Sequence, residues 1–364
     1  MRALGVMAAL FLLAACTVPT ASPPPPPTPF PSPTPAPTAT PIPPTPIPPT
    51  PTVETAALAS QAEAGLEAVQ AQAGEAAILS LRYEDLDADG LPEWLAVVQP
   101  EGGTVQGFVL DGETRFPLEA TNPRTALADW GLGLYPDCEV RSADLTADGL
   151  PEIAIFGHGP RSMTLLHLYT WDGTGYRLLG SFAGDGGVSI EDGDGDLTAE
   201  IVEGYHDSEA EELVWQVIFT WEGQSYGWTS DRWRWFYRQR PHTYPDRTPE
   251  QAVIAFYLAL NDRDLPAAYR LLSADAQAAR PYESWACDFN TLLRVDVGDV
   301  HLVPGVGTAE ARRVAAMLLT WDMLEGEVLV RSWNVEWDVV QTEAGWRLNG
   351  LTAVQLDAWP APYW

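Results

Sequence analysis

The chain has 364 residues, 46% of them apolar and 19% charged, so its length admits two ordinary cores plus tails. Fifty Asp and Glu face 20 basic residues, all of them Arg, for a net charge of −30. Such a surface repels nucleic-acid phosphates and anionic membrane surfaces and favours cations as partners. No apolar run reaches the roughly 18–20 residues that span a bilayer.

Residues 1–15 place one Arg ahead of an apolar stretch of about 13 residues and then small residues, the pattern of a secretory signal. The stretch Leu13-Ala14-Ala15-Cys16 resembles the bacterial lipobox. That resemblance implies cleavage before Cys16, acylation of its sulfur, and a lipid anchor on the extracytoplasmic face of a bacterial membrane. An ordinary signal with a chance Cys is the alternative. Residues 16–53 hold 18 of the 33 Pro and no charged side chain, so they cannot build a packed core. Polyproline II, at about 3.1 Å per residue, would make them a stalk on the order of 100 Å long. In 54–77, an Ala- and Glu-rich stretch carries Leu58, Leu66 and Val69 at helical spacing, which predicts a short capping helix.

An internal repeat follows. Residues 85–93 read DLDADGLPE, 144–152 read DLTADGLPE and 192–200 read DGDGDLTAE. Each has Asp or Thr at positions one, three and five and Glu at position nine. Strand-like runs follow the loops at 94–98, 153–156 and 201–202. Asp111-Gly112, Asp172-Gly173 and Glu222-Gly223 then follow the loop starts by 26, 28 and 30 residues and read as hairpin turns. Oxygens at alternate positions of a tight loop converge, and converging carboxylates repel unless a cation lies among them. Calcium suits such a set, because it takes about 6–8 oxygens at about 2.3–2.6 Å. The EF-hand is excluded, since position twelve is Ala96 or Ile155 in the first two loops and the flanks are strands. Plain acidic turns remain the other reading.

The loops resemble the FG-GAP and VCBS repeats of integrin-like β-propellers and bacterial surface proteins, over roughly 78–240. The resemblance implies a structural calcium ion held by Asp85, Asp87, Asp89, the Leu91 carbonyl and Glu93. In the second copy it implies Asp144, Thr146, Asp148, the Leu150 carbonyl and Glu152, and in the third Asp192, Asp194, Asp196 and Glu200. Glu replaces the family's Asp at position nine throughout, and Leu197 replaces the turn Gly of the third loop. Three units cannot close an ordinary ring, so the expectation is a partial β-propeller or compact sheet stack.

Arg alternates with aromatics over 232–238, either a sugar-binding stripe or a strand with buried rings and solvent-facing Arg. At 248–251, Thr-Pro-Glu-Gln opens a helix with Thr as N-cap and Gln in a capping box. Shorter helices are expected near 265–272 and 281–289, then strands over 294–303, 308–322, 326–341 and 345–356. Residues 246–357 thus form an α+β domain. Its opening resembles the nuclear transport factor 2-like (SnoaL-like) superfamily, which implies a cone of curved sheet around a helix. Active members of that superfamily place polar groups inside the cone, roles open here to Tyr257, Asp262, Tyr269 and His301; core Tyr and solvent-facing Asp262 and His301 are the other reading. No Gly-rich phosphate loop, G-x-S-x-G, H-E-x-x-H or CxxC is present. Cys138 and Cys287 are either a domain-clamping disulfide or two thiols. The combined expectation is a mainly β plus α+β chain: a non-enzymatic, calcium-stabilised surface lipoprotein that binds a protein or glycan partner. An extracytoplasmic enzyme with its site in the cone is the alternative.

Overall fold

The computed structural model describes residues 65–120, 130–237 and 242–361. Cys16, the Pro-rich segment and the first part of the expected helix lie outside these residues; 65–73 are helical and are called α1. The architecture is mainly β, with four antiparallel sheets of four strands each. The first sheet holds β1 (Ala77–Glu84), β2 (Glu93–Gln99), β3 (Gln106–Asp111) and β4 (Thr114–Leu118). The second holds β5 (Glu139–Ala143), β6 (Glu152–His158), β7 (Thr164–Trp171) and β8 (Tyr176–Gly184). The third holds β9 (Val188–Glu191), β10 (Glu200–His206), β11 (Leu213–Trp221) and β12 (Tyr226–Trp235). Each is a meander in sequence order, and each acidic loop joins its first two strands. The repeat therefore begins one strand before the loop, in segments that share no motif.

The three sheets pack face to face in succession. Leu95, Val97 and Val109 of the first sheet share a core with Ile153, Ile155 and Tyr169 of the second. Leu166, Leu168 and Phe182 of the second share one with Ile201 of the third. Strand alternation sends Ala96, Val98, Phe108 and Leu110 to the opposite face of the first sheet, where Val69 of α1 covers them. Backbones approach closely between units: a Cβ at Gly157 would run into the Leu132 carbonyl. His167 is 1% exposed in this stack, its Nδ1 2.8 Å from Ser181 Oγ.

The fourth sheet holds β13 (Leu292–Gly307), β14 (Ala311–Leu324), β15 (Glu327–Thr342) and β16 (Gly345–Pro360). Before it come α2 (Pro249–Asn261), α3 (Leu265–Arg270), α4 (Ala274–Ala279) and α5 (Tyr282–Ala286), then a 3-10 turn over Cys287–Phe289. The Thr248 hydroxyl accepts the Gln251 N–H, so the N-cap forms as expected, with Pro249 in the first turn. Gln251 does not complete the capping box. Its amide donates instead to Asp207 of the third sheet's unit at 3.2 Å. α2 is buried on all sides, which its wholly apolar 252–260 run permits. Phe256, Tyr257, Trp285, Trp337 and Trp346 fill the space between helix and sheet. Asn334, Glu336 and Asp338 alternate outward to water.

The two halves meet at β12. Trp233 and Trp235 pack against Ile254 and Leu258 of α2. The Arg face of the same strand is not in solvent, contrary to the alternation's simplest meaning. Arg232 donates to Gln216 Oε1 at 2.7 Å and to Glu191 Oε2 at 2.9 Å. Arg234 and Arg294 both donate to Asp296 of β13. Burial alone would push the Asp296 carboxyl up, but the two guanidinium groups hold it below the usual carboxylate range.

Two outcomes follow. Asp296→Ala leaves Arg234 buried without its carboxylate and should cost about 3 kcal/mol of unfolding free energy in urea titrations. Burial lowers His167 from 6.5 to about 4, so between those values the unfolded chain binds the extra proton and the folded state loses stability as pH falls. The urea midpoint should drop as pH falls from about 6.5 towards about 4, and His167→Gln should flatten that slope.

Candidate metal centre

The loop sequences impose a common backbone path. Positions four and six take left-handed φ: Ala88 (61°) and Gly90 (90°), Ala147 (57°) and Gly149 (90°), Gly195 (77°) and Leu197 (77°). The substitution of Leu197 for Gly thus leaves the bend in place at a conformational cost. The turn is pinned from within. The fifth-position Asp accepts the N–H two residues on, in the pairs Asp89–Leu91 (2.7 Å), Asp148–Leu150 (2.8 Å) and Asp196–Thr198 (2.8 Å). The first-position Asp85 and Asp144 accept from Gly90 and Gly149, whereas Asp192 accepts from Gly195. The ninth-position Glu reaches back to the second-position N–H: Glu93 to Leu86 (2.6 Å), Glu152 to Leu145 (2.7 Å) and Glu200 to Gly193 (2.6 Å). These glutamates are buried, 1%, 0% and 8% exposed respectively.

The three loops differ in what they gather. Ligand atoms of Asp85, Asp87, Asp89 and Glu93 all lie within 4.8 Å of one another, as do those of Asp192, Asp194 and Asp196. Among the described residues the second loop forms no such three-carboxylate group. Its third position is Thr146, whose hydroxyl turns inward and donates to Glu152 Oε1 at 3.3 Å. Thr170 of β7 donates to the same oxygen at 3.0 Å, while the Leu145 and Thr146 N–H groups fill Oε2. Glu152 therefore has four donors.

Glu93 has no such supply. Its Oε1 is buried without a hydrogen-bond partner. Burial, reinforced by Asp87, Asp111 and Asp85, pushes its carboxyl up to about 7. Burial also raises Asp87, and it raises Glu152 and Glu200 in their loops. A hard cation with oxygen ligands fits the first loop on two counts: the donor set is all carboxylate, and the orphaned oxygen belongs to that set.

The next sheet roofs these loops. Tyr176 opens β8, and burial followed by the charges of Glu93 and Asp87 raises its hydroxyl. Tyr226 opens β12, and burial followed by Glu152 and Glu200 does the same there. Phe116 of the first sheet meets Trp171 edge-on at 5.4 Å, and Phe182 of the second meets Tyr226 at 5.8 Å. The signal for this was present in the shared T-W-x-G-x-x-Y of 170–176 and 220–226. The Asp-Gly turns, however, are not equivalent. β3 pairs Asp111 with Thr114 across a two-residue turn, whereas Trp171 pairs with Tyr176 and Trp221 with Tyr226 across four residues.

The remaining candidate residues stay apart. Tyr257 is buried, and its hydroxyl accepts the Trp337 Nε1–H at 3.0 Å. Tyr269 donates to the Gln277 and Arg280 carbonyls. Asp262 does not face solvent but accepts from Trp235 Nε1 at 2.9 Å and from Tyr244. His301 is exposed beside Asp299. Cys138 packs half-buried at the edge of the core between the first two sheets, Cys287 opens the 3-10 turn, and no disulfide joins them. No helix among the described residues is long and apolar enough to cross a membrane. No protein-family model matches the chain, and a search of curated proteins finds no match.

Proposed function

We propose that this is a non-enzymatic cell-envelope lipoprotein whose β-repeats are held by calcium and which presents its folded part to a protein or glycan partner. The observation that carries the calcium half is Glu93: a buried carboxylate with one orphaned oxygen, ringed by Asp85, Asp87 and Asp89. The ion is structural, because its ligands come from a loop that ties adjacent strands and lies under Tyr176 of the next sheet. The envelope half rests on the Leu13-Ala14-Ala15-Cys16 stretch and the uncharged Pro-rich segment after it. An acylated Cys16 would hold the chain at a membrane, and the segment would set the folded part at a distance.

The partner surface is best sought on the third sheet. Trp228 of β12 is 64% exposed and Tyr237, just past the end of that strand, is 61% exposed, and flat rings with a polar edge suit sugar or peptide contact. The interior of the C-terminal unit offers less, since five aromatic rings occupy it and its Tyr hydroxyl is engaged.

Millimolar calcium should raise the melting temperature of the chelator-treated protein by about 5–10 °C if it exceeds Kd about 100-fold. Identical melting curves with calcium and with EDTA would remove the ion from the architecture. Cys16→Ser should move the protein from the membrane fraction to the soluble one on cell fractionation. Continued sedimentation with membranes would remove the anchor.

A further inference from the structure

The strand register compares the three repeats at one position. β2 and β3 pair Trp94 with Leu110, so one step on Asp111 lies opposite Glu93 on the same face. β6 and β7 pair Ile153 with Tyr169, which sets Thr170 opposite Glu152. β10 and β11 pair Ile201 with Phe219, which sets Thr220 opposite Glu200. Directly opposed side chains of an antiparallel pair have Cβ atoms about 5 Å apart. In the second repeat this neighbour is a donor, and it fills Glu152 Oε1. In the first it is another carboxylate with nothing to donate, and the corresponding Glu93 Oε1 is the orphan. Buried Glu93 and half-buried Asp111 thus face each other beside three more loop carboxylates, a crowd of negative oxygens that a divalent cation would relieve.

Resting on the cation reading of the first loop, we propose that Asp111 is a fifth carboxylate of that site. The first repeat then holds its ninth-position glutamate with a divalent cation, and the second holds its own with two threonine hydroxyls in the ion's place. The chain on this account has one tight calcium site at Asp85, Asp87, Asp89, Glu93 and Asp111. The second loop binds no ion, because Thr146 and Thr170 already satisfy Glu152.

The test is calcium titration of the full chain, stripped with chelator, by calorimetry and by terbium luminescence sensitised through Tyr176, which lies beside Glu93 and Asp87. Asp111→Asn should weaken the tight site about 10- to 100-fold, and Asp144→Asn should leave calcium binding unchanged. Asp111→Thr introduces the residue found at the same register position in the other repeats. It should raise the melting temperature of the calcium-free protein, by giving Glu93 a donor, while lowering calcium affinity. Wild-type affinity in both Asp111 variants, with the site lost in Asp85→Asn, would overturn the role of Asp111 and leave the first-loop reading standing. Loss of a bound calcium in Asp144→Asn would overturn the threonine substitution. Absence of calcium binding by the unaltered chain would overturn both this proposal and the reading beneath it.

Discussion

The constraint on which the repeat half depends is the burial of one glutamate per loop. Glu93, Glu152 and Glu200 each turn back to a second-position N–H and so close the loop onto its strand. A charged group at that depth needs compensation, and a single backbone donor is too little. Glu152 obtains three further donors, the Thr146 N–H and the hydroxyls of Thr146 and Thr170, while Glu93 has acidic neighbours across the sheet and around the turn. The loops look alike in sequence and share a backbone path, yet the donors around their buried glutamates differ.

From those closed loops the stacking follows. Each loop lies at the junction between its own sheet and the aromatic hairpin of the next, with Tyr176 over the first and Tyr226 over the second. Loop conformation and sheet-to-sheet packing are consequently one property. The junction with the C-terminal unit uses other means: rings of Trp233 and Trp235 on one side of β12, and the pairing of Arg234 with Asp296 on the other.

The parts of this fold carried by local spacing were legible in the sequence. Carboxylates at alternate loop positions, the Thr248 cap, and the alternation of Asn334, Glu336 and Asp338 with apolar residues all correspond to observed geometry. What depended on pairing across distance was not. The first strand of each repeat has no motif of its own, so the unit's start was invisible. Asp111 looked like the turn residue Asp172, and only the register separates them, setting one against Glu93 and the other at a hairpin tip. The helix α4 lacks an apolar stripe, and its one local mark is Ser273, which accepts the Ala276 N–H. Gln251 obeys a capping pattern but is drawn off by Asp207, a partner 44 positions away. The Arg of β12 read as solvated because their acids, Glu191 and Asp296, lie 41 and 62 positions distant.

The stack has different ends. Helix α1 lies over the outer face of the first sheet, and β13 runs against β12, the edge strand of the third. Only the first of these covers a stacking face, as a terminal cap does in linear arrays whose units contact only their neighbours. An ancestral duplication of the loop-and-four-strand module would have room in the interior of the series, where a face already meets a face. Growth beyond the first sheet would first have to displace α1 from the apolar face it covers.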